Sequence, residues 1–285
     1  MRKMTGKNIF SSLVTSRQNP TVKRLCALLD KKVRRRERAF RFDGIKLLCE
    51  AVARGVEIEL VVLCESADKT VCDRVIGFIE SGEIRESALL CVSEQVFEKI
   101  SDESSPEGVI AVAKFIESRH KTVSDVENYI LESGERLLIA ESLRDPGNLG
   151  TVIRSAAALG IDRLIITDDC ADLYNPKTVR AAMGGLFTLR IDIVKTEELP
   201  ALVLRLRALR RRIYAAALTE SAKEIGSFEL RTGDAFVIGN EGHGLSQAVI
   251  DAADEAALIP MTEGSESLNA AAAAAICIWE TVRSK

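Results

Sequence analysis

Ile58–Cys64 is a nearly unbroken apolar run of strand length, and residues 71–79 follow with apolar side chains at helical spacing. Residues 88–92 then read as a strand, 96–100 as a short helix and 108–115 as a buried strand. Upstream, Val22, Leu25, Cys26 and Leu29 mark one face of a helix over residues 19–30. Asp43 is placed to cap a second helix, with Ile45, Leu47, Leu48, Ala51 and Val52 as its stripe and Gly55 at its end. These elements predict one α/β domain over residues 1–116. Residues 117–134 are polar and read as a linker without a core strand, with some helix around 126–131. A second alternation starts at Leu137–Ala140 and continues through strands at Arg163–Thr167, 189–194, 212–216, 235–239 and 257–260. Helices between several of them predict a largely parallel sheet covered on both faces, within residues 135–285.

Composition narrows the class. A chain of 285 residues holds about two domains, and 47% hydrophobic with 28% charged residues excludes wholesale disorder. The longest apolar run, residues 270–279, is about half of what a bilayer-spanning helix needs. Polar residues break 8–18, where a signal peptide needs an apolar core. Seven cysteines, odd in number and without C-x-x-C spacing, fit reduced thiols, so a cytoplasmic protein with no membrane partner is expected. The net charge of −3 conceals an asymmetry. Residues 1–46 hold 14 Lys/Arg against 3 Asp/Glu, a net of +11, which leaves −14 for the other 239. Such a basic start points to nucleic acid, while a solvated basic helix face explains it equally. Arg205, Arg207 and Arg210 to Arg212 form a second basic cluster open to the same two readings.

Neither G-x-G-x-x-G nor G-x-x-x-x-G-K-[ST] follows a strand, so the common nucleotide loops are absent. Two histidines, His120 and His243, exclude a multi-histidine metal site, and no metal is expected. Three corners at strand ends remain, where open parallel sheets bind ligands. The first runs from Ser142 to Arg154; Asn148 is placed to cap the next helix, whose buried face is Leu149, Val152, Ile153, Ala156 and Gly160. Arg154 lies about 130° from the centre of that stripe and points away from the core. The second, Phe236 to Ser246, has Gly239, Gly242 and Gly244 around Asn240 and Glu241, which allows close backbone approach to a small molecule. The third runs from Ile259 through Pro260 and Met261 to Ser267-Leu268-Asn269, then six alanines and Ile276-Cys277-Ile278-Trp279. That helix is apolar nearly all round and is expected to be buried; its small side chains let a backbone or ligand come close, while Ser267 as cap and Asn269 as a hydrogen-bonded buried amide explain the corner equally.

Together the corners resemble the three motifs of the SpoU (TrmH-like) family of RNA ribose 2′-O-methyltransferases, of the SPOUT class. The matching residues are Asn148-Leu149-Gly150 with Arg154, Ile238 to Gly242 with Gly244-Leu245-Ser246, and Ile259-Pro260-Met261 with Ser267-Leu268-Asn269. Asn175 to Gly184 looks like the family's connecting segment, and the first hundred residues resemble its RNA-binding domain more loosely. The resemblance implies a mostly parallel α/β domain with a deep trefoil knot, preceded by a smaller α/β RNA-binding domain. It implies S-adenosyl-L-methionine as cofactor, held by Ile238, Gly239, Asn240, Gly242, Ile259, Met261 and Leu268. Arg154 would act on the hydroxyl, with Asn148, Glu241, Ser267 and Asn269 orienting it and the RNA. Lys31, Lys32, Arg34, Arg35, Arg36, Arg38 and Arg41 would grip RNA, and a homodimer through the catalytic domain is implied. The extra N-terminal domain favours ribosomal over transfer RNA. A transfer-RNA enzyme, a base methyltransferase and a non-catalytic RNA-binding protein on the same fold stay open as alternatives.

Overall fold

The structure is a computed structural model that describes residues 9–240, 242–262 and 267–283. The chain divides into two compact units, Met1–Ile116 with Tyr174–Arg180, and Glu117–Leu173 with Ala181–Lys285.

The first unit contains β1 (Leu13–Val14), α1 (Pro20–Ala27), α2 (Lys31–Glu37), β2 (Ala39–Asp43), α3 (Ile45–Ala53), β3 (Ile58–Cys64), α4 (Lys69–Glu80), β4 (Leu89–Val92), α5 (Glu94–Ile100) and β5 (Val109–Lys114). Its sheet has the order β1-β4-β3-β5-β2, with β4 parallel to β1 and β3, and β5 antiparallel to β3 and β2. Val61, Val62, Leu63 and Cys64 are all buried, so the apolar run of β3 is covered on both faces. Val22, Leu25 and Leu28 pack with Val96, Phe97 and Ile100 over Val62, Val92, Ile110 and Val112.

One element here is unmarked in the sequence and one expectation fails. Residues 31–37, a run of charges without an apolar period, form α2 because Asp30 caps it, accepting from the Lys32 N–H at 2.6 Å. Asp43 is the last residue of β2 and caps nothing; α3 begins behind Gly44, at φ 102°, and the Glu107 carboxylate accepts the Ile45 N–H at 2.8 Å. The later segment Tyr174–Arg180 also belongs to this unit. There the Tyr174 ring stacks on Phe115 at 3.9 Å and its hydroxyl accepts the Ile116 N–H at 2.8 Å.

The second unit contains β6 (His120–Thr122), β7 (Leu137–Ala140), α6 (Pro146–Leu159), β8 (Arg163–Thr167), only the last two residues of α7 (Pro176–Ala182), α8 (Gly185–Thr188), β9 (Arg190–Val194), α9 (Leu199–Ala208), β10 (Ile213–Ala216), β11 (Lys223–Glu224), β12 (Ala235–Ile238), α10 (Gln247–Ala252), β13 (Glu255–Leu258) and α11 (Ala270–Arg283). Its eight-stranded sheet, in the order β11-β13-β10-β12-β7-β8-β9-β6, is parallel throughout. The segment expected to be a strandless linker contributes β6, which pairs with β9, and buries Val123, Val126 and Tyr129 in the core. Residues 126–131 are turns and irregular chain instead of helix.

From β7 the chain moves outward through β8 to β9, then crosses back to β10 and β12 on the other side of β7. In open parallel sheets this reversal leaves a crevice at the carboxyl ends of the strands, where ligands bind. No helix among the described residues is long and apolar enough to cross a membrane.

Candidate active site

Because the strands run one way, the loops leaving β7, β12 and β13 emerge at the same end of the sheet. β7 and β12 are hydrogen-bonded neighbours, and only β10 separates β12 from β13. The first and second loops are tied directly. Asn240 Nδ2 donates to the Ser142 carbonyl at 2.7 Å, while Asn240 Oδ1 accepts the N–H groups of Gly242 at 2.8 Å and His243 at 3.3 Å. Asn240 and Gly244 also exchange backbone hydrogen bonds of 3.0 and 2.9 Å. Glu141, buried at the end of β7, accepts the Ser246 N–H at 2.8 Å. Sequence reasoning passed over Glu141, which precedes the first corner, and took Ser142 only as the start of that corner.

The first and third loops meet through two asparagines. Asn148 is not the cap of α6; that place belongs to Asp145, whose Oδ1 accepts the Asn148 N–H at 2.8 Å. The Asn148 side chain is thereby left for the third loop, and its Oδ1 accepts from Asn269 Nδ2 at 3.0 Å. Asn269 Oδ1 in turn accepts from Ala271 N at 3.0 Å and Ala272 N at 3.3 Å. Asn269 therefore caps α11, in place of Ser267, and both residues are exposed where a buried amide was expected.

Leu149, Val152, Ile153 and Ala156 are fully buried and Arg154 is exposed, as the helical spacing predicts. Gly160 is not part of that buried face; it ends α6 in the left-handed conformation at φ 84°. A Cβ on Gly185 would sit 3.1 Å from the Ile153 carbonyl and 3.2 Å from Arg154 Cα, so the backbone of α8 lies directly against α6. Among the described residues Arg154 has no hydrogen-bond or ion-pair partner. Glu241 lies outside the described residues.

The residues expected to hold a cofactor share this end of the sheet. Ile238 is buried at the end of β12, and Gly239 follows it. A Cβ on Gly239 would fall 2.3 Å from the Gly244 carbonyl carbon and 2.4 Å from Leu245 N, so the returning loop passes over a position that only glycine fits. Gly242 is exposed, Ile259 is half-buried, and Met261 and Leu268 are 42% and 39% exposed. The loop after β10 emerges between the second and third loops and carries Leu218, 82% exposed. Thr219 Oγ1 in the same loop is buried without a hydrogen-bond partner among the described residues. Nothing in the sequence marks this loop; only the strand order places it. No group of three or more His, Cys, Asp or Glu side chains among the described residues could hold a metal ion.

The basic segment of the first unit is of two kinds. Lys31, Lys32, Arg35, Arg36 and Arg38 are exposed, and the Arg38 guanidinium lies 5.7 Å from the Phe115 ring centroid. Arg34 and Arg41 are 1% and 0% exposed. Arg34 donates to the Leu28 and Leu29 carbonyls at 2.9 and 2.7 Å, satisfying the open end of α1. Arg41 donates to Leu25 O at 3.4 Å and pairs with Asp43 at 3.3 Å. These two arginines brace α1 and are buried away from the surface, unlike the rest of the set expected to grip RNA. Most of the second basic cluster is likewise committed, while Arg210 is exposed. Arg211 donates to the carbonyls of Glu132, Glu135 and Gly233, Arg212 pairs with Asp234, and Arg207 pairs with Asp254.

Helix α11 is not buried all round. Ala270, Ala271, Ala274, Cys277 and Ile278 face inward, while Ala272, Ile276 and Trp279 form an exposed apolar stripe, with Trp279 57% exposed.

A parallel-sheet unit with three interlocked loops at its chain reversal defines a ligand-binding α/β protein, and comparison with known proteins gives the family. Residues 135–279 match the SpoU rRNA Methylase family, and residues 19–111 match the MRM3-like substrate binding domain. The 23S rRNA (guanosine(2553)-2′-O)-methyltransferase RlmP of Bacillus subtilis is 31% identical over 93% of this chain and 97% of its own. Among solved structures, the AdoMet-bound rRNA methyltransferase of Sinorhizobium meliloti is 29% identical, covers 95% of this chain and 97% of its own, and superimposes with a TM-score of 0.78. The SpoU methyltransferase AviRb of Streptomyces viridochromogenes, in complex with AdoMet, is 27% identical over 93% of this chain and 98% of its own, with a TM-score of 0.74. The chain belongs to the SpoU rRNA methylase family.

Proposed function

We propose that this protein transfers the methyl group of S-adenosylmethionine to a ribose 2′-hydroxyl of ribosomal RNA. The observation that carries the reading is the interlocking of the three loops, Asn240 on Ser142 and Asn269 on Asn148, beside an exposed arginine with no partner among the described residues. RlmP and the Sinorhizobium meliloti enzyme, which match nearly the whole chain, are named as ribosomal RNA methyltransferases, which supports ribosomal over transfer RNA. Recovering ribosomal RNA from cells lacking the gene and mapping its ribose methylations tests the substrate. One lost 2′-O-methyl position is expected, and an unchanged map with a loss in transfer RNA contradicts the assignment.

The residues present fit the cofactor. The cleared space at Gly239 admits a close backbone, the orphaned Thr219 hydroxyl lacks a partner, and Leu218, Met261 and Leu268 offer apolar surface for a base. Ile238, Gly239, Asn240, Gly242, Ile259, Met261 and Leu268 form the binding set, and the knot belongs to the same proposal. When bound, S-adenosylmethionine supplies an electrophilic methyl group on a sulfonium. Holding the acceptor oxygen in line provides much of the rate. Asn148, Ser267, Asn269 and Glu241 orient the ribose. A guanidinium is a poor general base, so the role of Arg154 is to bind the adjacent phosphate and stabilise the alkoxide while the proton passes to water.

Exposed Lys31, Lys32, Arg35, Arg36 and Arg38 supply the RNA grip. Replacing Lys31, Lys32, Arg35 and Arg36 together with glutamine is expected to weaken RNA binding and to reduce the slope of log affinity against log salt by about 3. An unchanged slope places the grip elsewhere. In the same reading the protein is a cytoplasmic homodimer joined through the α11 stripe. Trp279→Glu is expected to convert the dimer to a monomer by sedimentation velocity, because it places a charge in an apolar contact. A variant that sediments as the wild-type dimer rejects that interface.

A further inference from the structure

Asp169 lies in none of the three loops, yet its carboxylate holds the first of them. Oδ2 accepts from Ser142 Oγ at 2.7 Å and Arg144 Nη2 at 3.2 Å; Oδ1 accepts from Thr167 Oγ1 at 2.7 Å and Thr196 Oγ1 at 3.0 Å. Thr167 Oγ1 also accepts the Ser142 N–H at 2.8 Å. Ser142 is thus gripped at its backbone and its side chain while it holds φ 55°, a conformation that a residue with a Cβ rarely adopts. The following residue is held by the same turn. Cys170 Sγ accepts the Leu143 N–H at 3.2 Å, and Ala171 N donates to the Leu143 carbonyl at 2.8 Å.

This grip decides where the Ser142 carbonyl points, and that carbonyl is the acceptor for Asn240 Nδ2. A continuous hydrogen-bonded path therefore runs from Asp169 through Ser142 and Asn240 to the N–H groups of Gly242 and His243. Burial would raise the Asp169 pKa, but hydrogen bonds from Thr167, Ser142, Arg144 and Thr196 outweigh it and hold the carboxyl below its ordinary value. The group is ionised at neutral pH, with both oxygens free to accept.

We propose that Asp169 is a positioning residue for the methyl-transfer site. By fixing Ser142 in the left-handed conformation it sets both the loop that leads to Asn148 and Arg154 and the loop that cradles the cofactor. The inference rests on the methyltransferase reading. A carboxylate that only braced the fold would alter stability while leaving the affinity and turnover of the folded protein unchanged.

The test uses full-length Asp169→Asn, Ser142→Ala and the double variant, with S-adenosylmethionine binding by calorimetry and turnover on ribosomal RNA. Asp169→Asn is expected to weaken cofactor binding about tenfold and to lower kcat at least as much, the scale of one lost hydrogen bond to a charged group. Ser142→Ala should lose a similar factor, and the double variant should be no worse than either single one, because both act through one path. Wild-type affinity and kcat in Asp169→Asn, or losses that multiply in the double variant, overturn the proposal. Should Asp169→Asn fail to fold, Ser142→Ala decides alone, and unchanged binding and turnover in it overturn the proposal. A wild-type protein that binds no S-adenosylmethionine instead overturns the methyltransferase reading, before any variant is compared.

Discussion

Gly239→Ala is expected to weaken binding of S-adenosylmethionine by up to about a hundredfold. The added methyl would lie 2.3 Å from the Gly244 carbonyl carbon, 2.4 Å from Leu245 N and 2.5 Å from Gly244 O. All three are backbone atoms, so no rotamer change relieves the clash. The loop is also pinned where it would have to move, through the paired backbone bonds of Asn240 and Gly244 and the Asn240 bond to Ser142. Overpacking of this kind costs about 1–3 kcal/mol in a core. Here the energy is spent by displacing the loop that cradles the cofactor, so affinity should fall by up to about a hundredfold, at 1.4 kcal/mol per factor of ten. Calorimetric titration reads this directly, and a wild-type Kd would show that the cofactor binds elsewhere.

Arg154→Ala is expected to separate chemistry from cofactor binding. The side chain is exposed and without a partner among the described residues, so its removal leaves no buried group unsatisfied and should shift Tm little. Loss of a cation aimed at developing negative charge should lower kcat about 10²–10³-fold, while S-adenosylmethionine affinity stays within about twofold, under half a kcal/mol. Arg154→Lys tests whether a point charge suffices or the planar fork is needed to hold phosphate and oxygen together. Undiminished kcat in Arg154→Ala contradicts the role given to this residue.

The parallel strands were legible because burial on both faces leaves them as continuous apolar runs. Ile58–Cys64, Leu137–Ala140 and Arg163–Thr167 form strands over the very residues the pattern marks. β2 was hidden by Arg41, a charge buried against the Leu25 carbonyl and Asp43, and α2 by a run of cations that its aspartate cap makes helical. β6 was hidden by length, since three residues on a sheet edge carry no readable period.

In the candidate site, the glycines and asparagines of the three corners announced themselves through their backbone needs. Their division of labour did not. Which of Asp145 and Asn148 caps α6 depends on where the first turn begins, and only the placement of Asn269 shows what the Asn148 side chain contacts across the loops. Glu141, Asp169 and Thr219 were invisible for a different reason, as was the hold on Ser142. Each acquires its meaning from strand order, which brings together loops separated by up to about a hundred residues and leaves no local signature.

The most direct test of the central claim is to incubate the purified protein with unmodified ribosomal RNA and S-adenosylmethionine carrying a labelled methyl group, then digest to nucleosides and identify the product by mass spectrometry. The label is expected on a single 2′-O-methyl nucleoside, and it should be absent with Arg154→Ala. A label on a nucleobase, or RNA binding with no label transferred, would contradict ribose methylation as the function of this chain.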